Sequence, residues 1–151
     1  MKIDRLIQSD DKSCLPCVLG MMVGESEEYV KGWFEYQDPP LTDEDAMIFL
    51  AHHGIYLSLL AAFDAKEPME DLDNSEVKIT FDNRPAYVIV ESERFPGRHH
   101  AVFWDGRNVL DPSPESKPKR RLSEYVVIGV YPMMMTAQRW EWWRDNTMKA
   151  A

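Results

Sequence analysis

The stretch PAYVIVESERFPGRHHAVFWDGRNVL, residues 85–110, decides the fold. Val, Ile and aromatic residues crowd 86–92 and 99–104, a composition that suits a half-buried pleated surface. Between them RFPGR, 94–98, carries the Pro and Gly of a hairpin loop. Asp105-Gly106 is a further turn signal, and Asn108–Leu110 then reads as a short strand. Strands joined by turns this short are antiparallel, because a parallel pair needs a crossover of about a dozen residues. Working outward, EYVVIGVY at 124–131 has the same character and adds a strand, and IYLSLLAAF at 55–63 is β-compatible.

The N-terminal third has a different grammar. Ser13 can cap a helix that opens at Cys14, tolerates Pro16 in its first turn and runs through CVLGMMVG to end near Gly24. Tyr29, Val30, Trp33 and Phe34 recur at helical spacing, which predicts a second helix from Ser26 to Tyr36, before Pro39 and Pro40. Thr42 and Asp45 form a capping-box pair, and Ala46, Phe49, Leu50 and His53 share one face up to Gly54, predicting a third helix over 42–53. Helices first and strands afterwards define an α+β fold, with N-terminal helices packed on a mostly antiparallel sheet.

Composition sets the outer limits. The chain has 151 residues, 44% apolar and 28% charged, which suits a single domain over 1–151. Residues 132–151 are expected to form a C-terminal helical extension in which Trp140, Trp142 and Trp143 dock on the core or offer a patch to a protein partner. With 17 Lys and Arg against 26 Asp and Glu the formal charge is −9, so phosphate backbones are repelled and no nucleic-acid partner is expected. The basic run Lys117, Lys119, Arg120, Arg121 reads as a solvated loop, and six acidic residues between Asp64 and Glu76 imply another long connection. The sequence has no apolar run long enough to span a membrane, and its start, MKIDRLIQSDDKS, lacks a signal peptide's apolar core; the expected compartment is the cytoplasm, with no membrane association. Two cysteines three residues apart, Cys14 and Cys17, make no disulfide framework and fit a reducing compartment.

Cys14 is the candidate nucleophile. A thiol needs a lowered pKa to attack a carbonyl, and a helix N-terminus with a nearby imidazole is the usual means. His99 and His100 open a strand distant in sequence, and either could be the base, since adjacent strand residues point to opposite faces. Asp111 follows the next strand, where an antiparallel neighbour could bring it alongside the imidazole. Gln8, six residues before Cys14, can place an amide donor beside the Cys14 N–H to hold an oxyanion.

In this order the residues resemble a known family. Gln8-Ser-Asp-Asp-Lys-Ser-Cys14, the apolar helix after it, RPAYVIVES and GRHHAVFWDGRNVLDPSP are similar to papain-like cysteine peptidases, particularly the bacteriocin-processing branch that cuts after double-glycine leaders. The resemblance extends over residues 6–131. It implies a papain-like cysteine protease fold, a thiol protease with a catalytic triad of Cys14, His100 and Asp111, and Gln8 in the oxyanion hole; His100 is preferred because it directly precedes Ala101-Val102-Phe103. It calls for a peptide or protein substrate and for no cofactor or metal. Two departures stand out: Leu15 and Pro16 follow the Cys where the family usually has Gly, and the branch is fused to membrane transporters whereas a freestanding domain is expected here.

Other readings compete with this one. CLPC is also the form of a thioredoxin-like redox motif, but that fold needs a βαβ unit around it. Cys14 and Cys17 with two of His52, His53, His99 and His100 could make a zinc site, although adjacent histidines replace the usual spaced pair. A non-catalytic papain-like interaction protein is the third alternative. His52 and His53 are explained by the dipole of the helix end they occupy.

Overall fold

The computed structural model describes residues 3–35, 42–57, 61–62 and 84–148. Helices α1 (Cys14–Val23), α2 (Glu27–Trp33) and α3 (Asp43–His52) precede strands β1 (Ile55–Leu57), β2 (Ala61–Ala62), β3 (Ala86–Glu91), β4 (His99–Trp104), β5 (Val109–Leu110) and β6 (Val127–Met135), and α4 (Ala137–Trp143) follows, continued by a π-helical turn at Arg144–Met148. The strands pair in the order β1-β6-β3-β4-β5, with β2 also on β6, and each pairing is antiparallel. The expected α+β architecture is therefore the one observed. The second helix ends at Trp33, short of the expected Tyr36, with Phe34 as its C-cap; the middle of 55–63 and the acidic stretch 64–76 lie outside the described residues.

Alternation along the strands divides the core in two. Tyr87, Ala101, Phe103 and Met133 meet α1, α3 and Trp143 on one face. Val88, Val90, Val102, Trp104 and Val130 meet Leu122 and Tyr125 on the other, under the connection between β5 and β6. Helix α1 is buried nearly throughout, as its unbroken apolar run requires. It ends at Gly24, whose left-handed φ of 77° places the next amide on the Gly20 carbonyl.

Several expectations are corrected, each for a physical reason. Ser13 precedes α1 without capping it: its hydroxyl donates to the Asp10 carbonyl and accepts from the Asp10 N–H. The last strand begins at Val127 rather than Glu124, because Leu122–Glu124 form a 3₁₀ turn that directs Tyr125 inward. That strand runs to Met135, so 132–135 is strand and the C-terminal helix starts only at Ala137, capped by the Thr136 hydroxyl. Arg120 is not solvated: its backbone pairs with Val109, and its side chain is 12% exposed. Trp143 is 2% exposed and belongs to the core, whereas Trp140 and Trp142 are half-buried. Among the described residues no helix is long and apolar enough to cross a membrane.

Candidate functional site

The N-terminal segment lies along the residues that follow β5. The Gln8 N–H donates to the Pro112 carbonyl at 2.8 Å, and the Arg5 guanidinium donates to the carbonyls of Ser116 at 2.8 Å and Lys117 at 3.1 Å. This contact carries Gln8 to the neighbourhood of Asp111, while α1 packs against β4 and brings Cys14 to His100. Gln8, Cys14, His100 and Asp111 line one cleft of about 800 Å³, with Leu15 and Tyr87 on its wall.

Within the cleft, Asp111 accepts a 2.7 Å hydrogen bond from His100 Nε2. Register explains it. Phe103 faces Leu110 across β4 and β5, so the chain leaving β5 runs back alongside the start of β4. With Nε2 engaged by the carboxylate, Nδ1 is the ring atom left for the Cys14 thiol, with which His100 also shares a hydrogen bond. His99, the other candidate base, is exposed.

The charges reinforce one another. Burial opposes ionisation of all three groups. For His100 the hydrogen bonds and charges of Asp111 and Cys14 outweigh it, and the imidazole pKa is raised to about 9. For Cys14 the penalty of burial is overcome by His100, with the amides of Ala101 and Leu15 assisting, and the thiol pKa falls below its usual value. For Asp111, His100, the Ser113 N–H and the Tyr125 hydroxyl overcome burial and hold the carboxyl below the usual range. The shifts of Cys14 and His100 thus run toward thiolate and imidazolium, each favouring the other's charged form.

Two residues at the site were not among the sequence candidates. The Tyr125 hydroxyl donates to Asp111 Oδ2 at 2.8 Å, and the Arg120 guanidinium lies 3.8 Å from the same oxygen while stacking on the Tyr125 ring at 4.0 Å. Arg120 also pairs with Glu93 at 2.6 Å, on the loop between β3 and β4. Asp111 therefore has both oxygens engaged, as a buried carboxylate requires. The signal for Tyr125 was its place in an apolar strand pattern, which concealed the role of its hydroxyl.

The competing chemistries find less support in these positions. Cys17 is fully buried, and burial together with Glu27 raises its pKa, so it is poorly suited to resolve a mixed disulfide. His53 is occupied by the Phe49 carbonyl at 2.8 Å and the Tyr29 hydroxyl at 3.0 Å. Among the described residues no three or more His, Cys, Asp or Glu side chains gather as a metal-binding group.

A helix that presents a cysteine at its first turn to a histidine on an antiparallel sheet is the arrangement of the papain-like cysteine peptidase fold, and this chain has that fold. Among solved structures it is similar to the crystal structure of the peptidase domain of Streptococcus ComA, a bifunctional ABC transporter involved in a quorum-sensing pathway. The TM-score is 0.55 at 14% sequence identity, over 89% of this chain and 99% of that one. No protein-family model matches the chain, and no curated protein matches it.

Proposed function

We propose that the protein is a cysteine hydrolase, a peptidase or isopeptidase that cleaves an amide through a thioester on Cys14. The observation that carries this reading is the Cys14–His100–Asp111 chain, with its lowered thiol pKa and 2.7 Å carboxylate bond. The likeness in fold to a peptidase domain supports it.

In this mechanism the Cys14 thiolate adds to the substrate carbonyl carbon, and the carbonyl π pair moves onto oxygen. The Cys14 N–H, in a first helical turn without an intrahelical acceptor, and the Gln8 amide are the donors for that oxyanion. As the C–N bond breaks, the imidazolium of His100 gives its proton to the departing amine, leaving a thioester. Neutral His100 then takes a proton from water, the hydroxide adds to the thioester carbonyl, and collapse releases a carboxylate and restores the thiolate. Asp111 keeps the ring oriented throughout and stabilises its charged form.

Acylation with p-nitrophenyl acetate tests this directly. One acetyl group should appear on Cys14, faster than on free cysteine, and Gln8→Ala should slow it by about 10²–10³-fold. Cys14→Ala should remove both the adduct and any amide-cleaving turnover while leaving the melting temperature nearly unchanged. Acylation no faster than that of free cysteine, or turnover surviving in Cys14→Ala, contradicts the proposal.

A further inference from the structure

Glu27 is a charged residue at the start of α2, yet it is only 6% exposed. A carboxylate that merely complemented the helix dipole would gain most of that benefit from the surface. This one is turned toward the loop that joins Gln8 to Cys14. Its Oε1 accepts from the Ser9 N–H at 3.2 Å and the Ser9 hydroxyl at 3.0 Å. Lys31, one turn further along α2, lies 3.4 Å from the same carboxylate, 3.5 Å from Asp10 and 3.1 Å from the Ser9 hydroxyl. Burial penalises the Glu27 charge, but Ser13, Ser9 and Lys31 outweigh it and hold the group ionised. The neutral Cys17 thiol contributes a further hydrogen bond from α1.

The loop so held determines where the Gln8 amide sits. Gln8 Nε2 donates to the Asp10 carbonyl at 2.8 Å, while Gln8 Oε1 is buried with no hydrogen-bond partner. The amide is therefore oriented by Asp10, and Asp10 is held through Lys31 and through the Ser13 hydroxyl. Ser13 in turn directly precedes Cys14, whose N–H is the other oxyanion donor of the proposed mechanism.

We infer that buried Glu27, paired with the partly exposed Lys31, is a positioning device for the oxyanion hole, fixing Gln8 and the Cys14 N–H through Ser9, Asp10 and Ser13. The inference rests on the hydrolase reading above. Glu27 touches no reacting atom; it acts through the loop. Its loss should therefore impair steps that build negative charge on a carbonyl oxygen and spare steps that do not.

Two reagents separate these. p-Nitrophenyl acetate acylates Cys14 through an oxyanion, whereas iodoacetamide alkylates it by displacing iodide and needs the thiolate alone. In Glu27→Gln and Glu27→Ala, acylation should slow by about tenfold or more, since small misplacements of catalytic groups are costly. The alkylation rate and its pH profile should stay at the wild-type values. Gln8→Ala added to Glu27→Ala should cost less than it does in the wild-type background, because both changes disable one donor. Lys31→Met should give a smaller acylation defect of the same kind and decides the matter if Glu27→Ala does not fold. Unchanged acylation, or acylation and alkylation falling by one common factor, overturns the assignment of Glu27 while leaving the hydrolase reading standing. Wild-type Cys14 acylated no faster than free cysteine overturns both.

Discussion

Asp111 is 3% exposed and holds His100 Nε2, the Ser113 N–H and the Tyr125 hydroxyl at 2.7–2.8 Å, so its charge is built into the fold and into the site together. Its folded pKa lies below the usual 3.8, so the stability it supplies is present above that value and disappears as pH falls through the folded value. The melting-temperature gap between wild type and Asp111→Asn should accordingly be widest above about pH 4 and narrow in more acidic buffer; a gap independent of pH from 6 to 2.5 would contradict this. Asp111→Asn should also lower the His100 pKa from about 9 and weaken the thiolate at neutral pH, read as slower alkylation of Cys14 at pH 6.5. Gln8, Cys14, His100 and Asp111 could be named as candidates from sequence because their joint order resembles the papain-like pattern, although each alone is an ordinary residue. Tyr125, Arg120 and Glu27 could not: one belongs to an apolar strand pattern, one to a basic run and one to an ordinary first helical turn, and only long-range packing gives them their partners.

Elements were legible where their stop signals are local. Thr42 accepts from the Asp45 N–H while Asp45 accepts from the Thr42 N–H, the reciprocal pair expected from the sequence. Thr42→Ala should cost about 1 kcal/mol, measured by urea unfolding, and no loss would show that α3 is held by packing alone. Gly24 has a second constraint that sequence could not reveal. A Cβ there would stand 2.4 Å from the ring of Trp142, in addition to the strain of φ 77°. Gly24→Ala should therefore destabilise by more than the ~1–3 kcal/mol of the backbone term alone, and a loss under 1 kcal/mol would contradict the close approach of α4 to the end of α1. Arg139 reinforces that junction by donating to the Val23 carbonyl at 2.6 Å and stacking on Trp142 at 4.2 Å. Boundaries failed where a side chain far away in sequence decides them, as when β6 starts late because Tyr125 turns in to Asp111.

At the scale of the molecule, the candidate site exists only through the assembly of three separate stretches of chain: the loop from Gln8 into the start of α1, the start of β4 and the turn after β5. The antiparallel order was legible in 85–110 because alternation and turns are short-range; the packing of the C-terminal helix was not, because three tryptophans in four residues do not say which one goes inside. Trp143 does, meeting Phe103 with ring centroids 6.3 Å apart. Trp143→Ala should lower the stability of the single unfolding transition by roughly 3–5 kcal/mol, whereas an extension lying outside the core would leave that transition in place. The central claim is that this assembly lowers the Cys14 pKa below that of a free thiol, and alkylation of the two cysteines by iodoacetamide across pH 5–10, assigned by mass spectrometry, tests it most directly. Cys14 should label faster than free cysteine below pH 7 while Cys17 stays protected, and in His100→Ala, where only the amides of Ala101 and Leu15 still oppose burial, the Cys14 profile should move to higher pH than in the wild type. A Cys14 profile that matches free cysteine in the wild type, or that is unmoved by His100→Ala, would contradict the account.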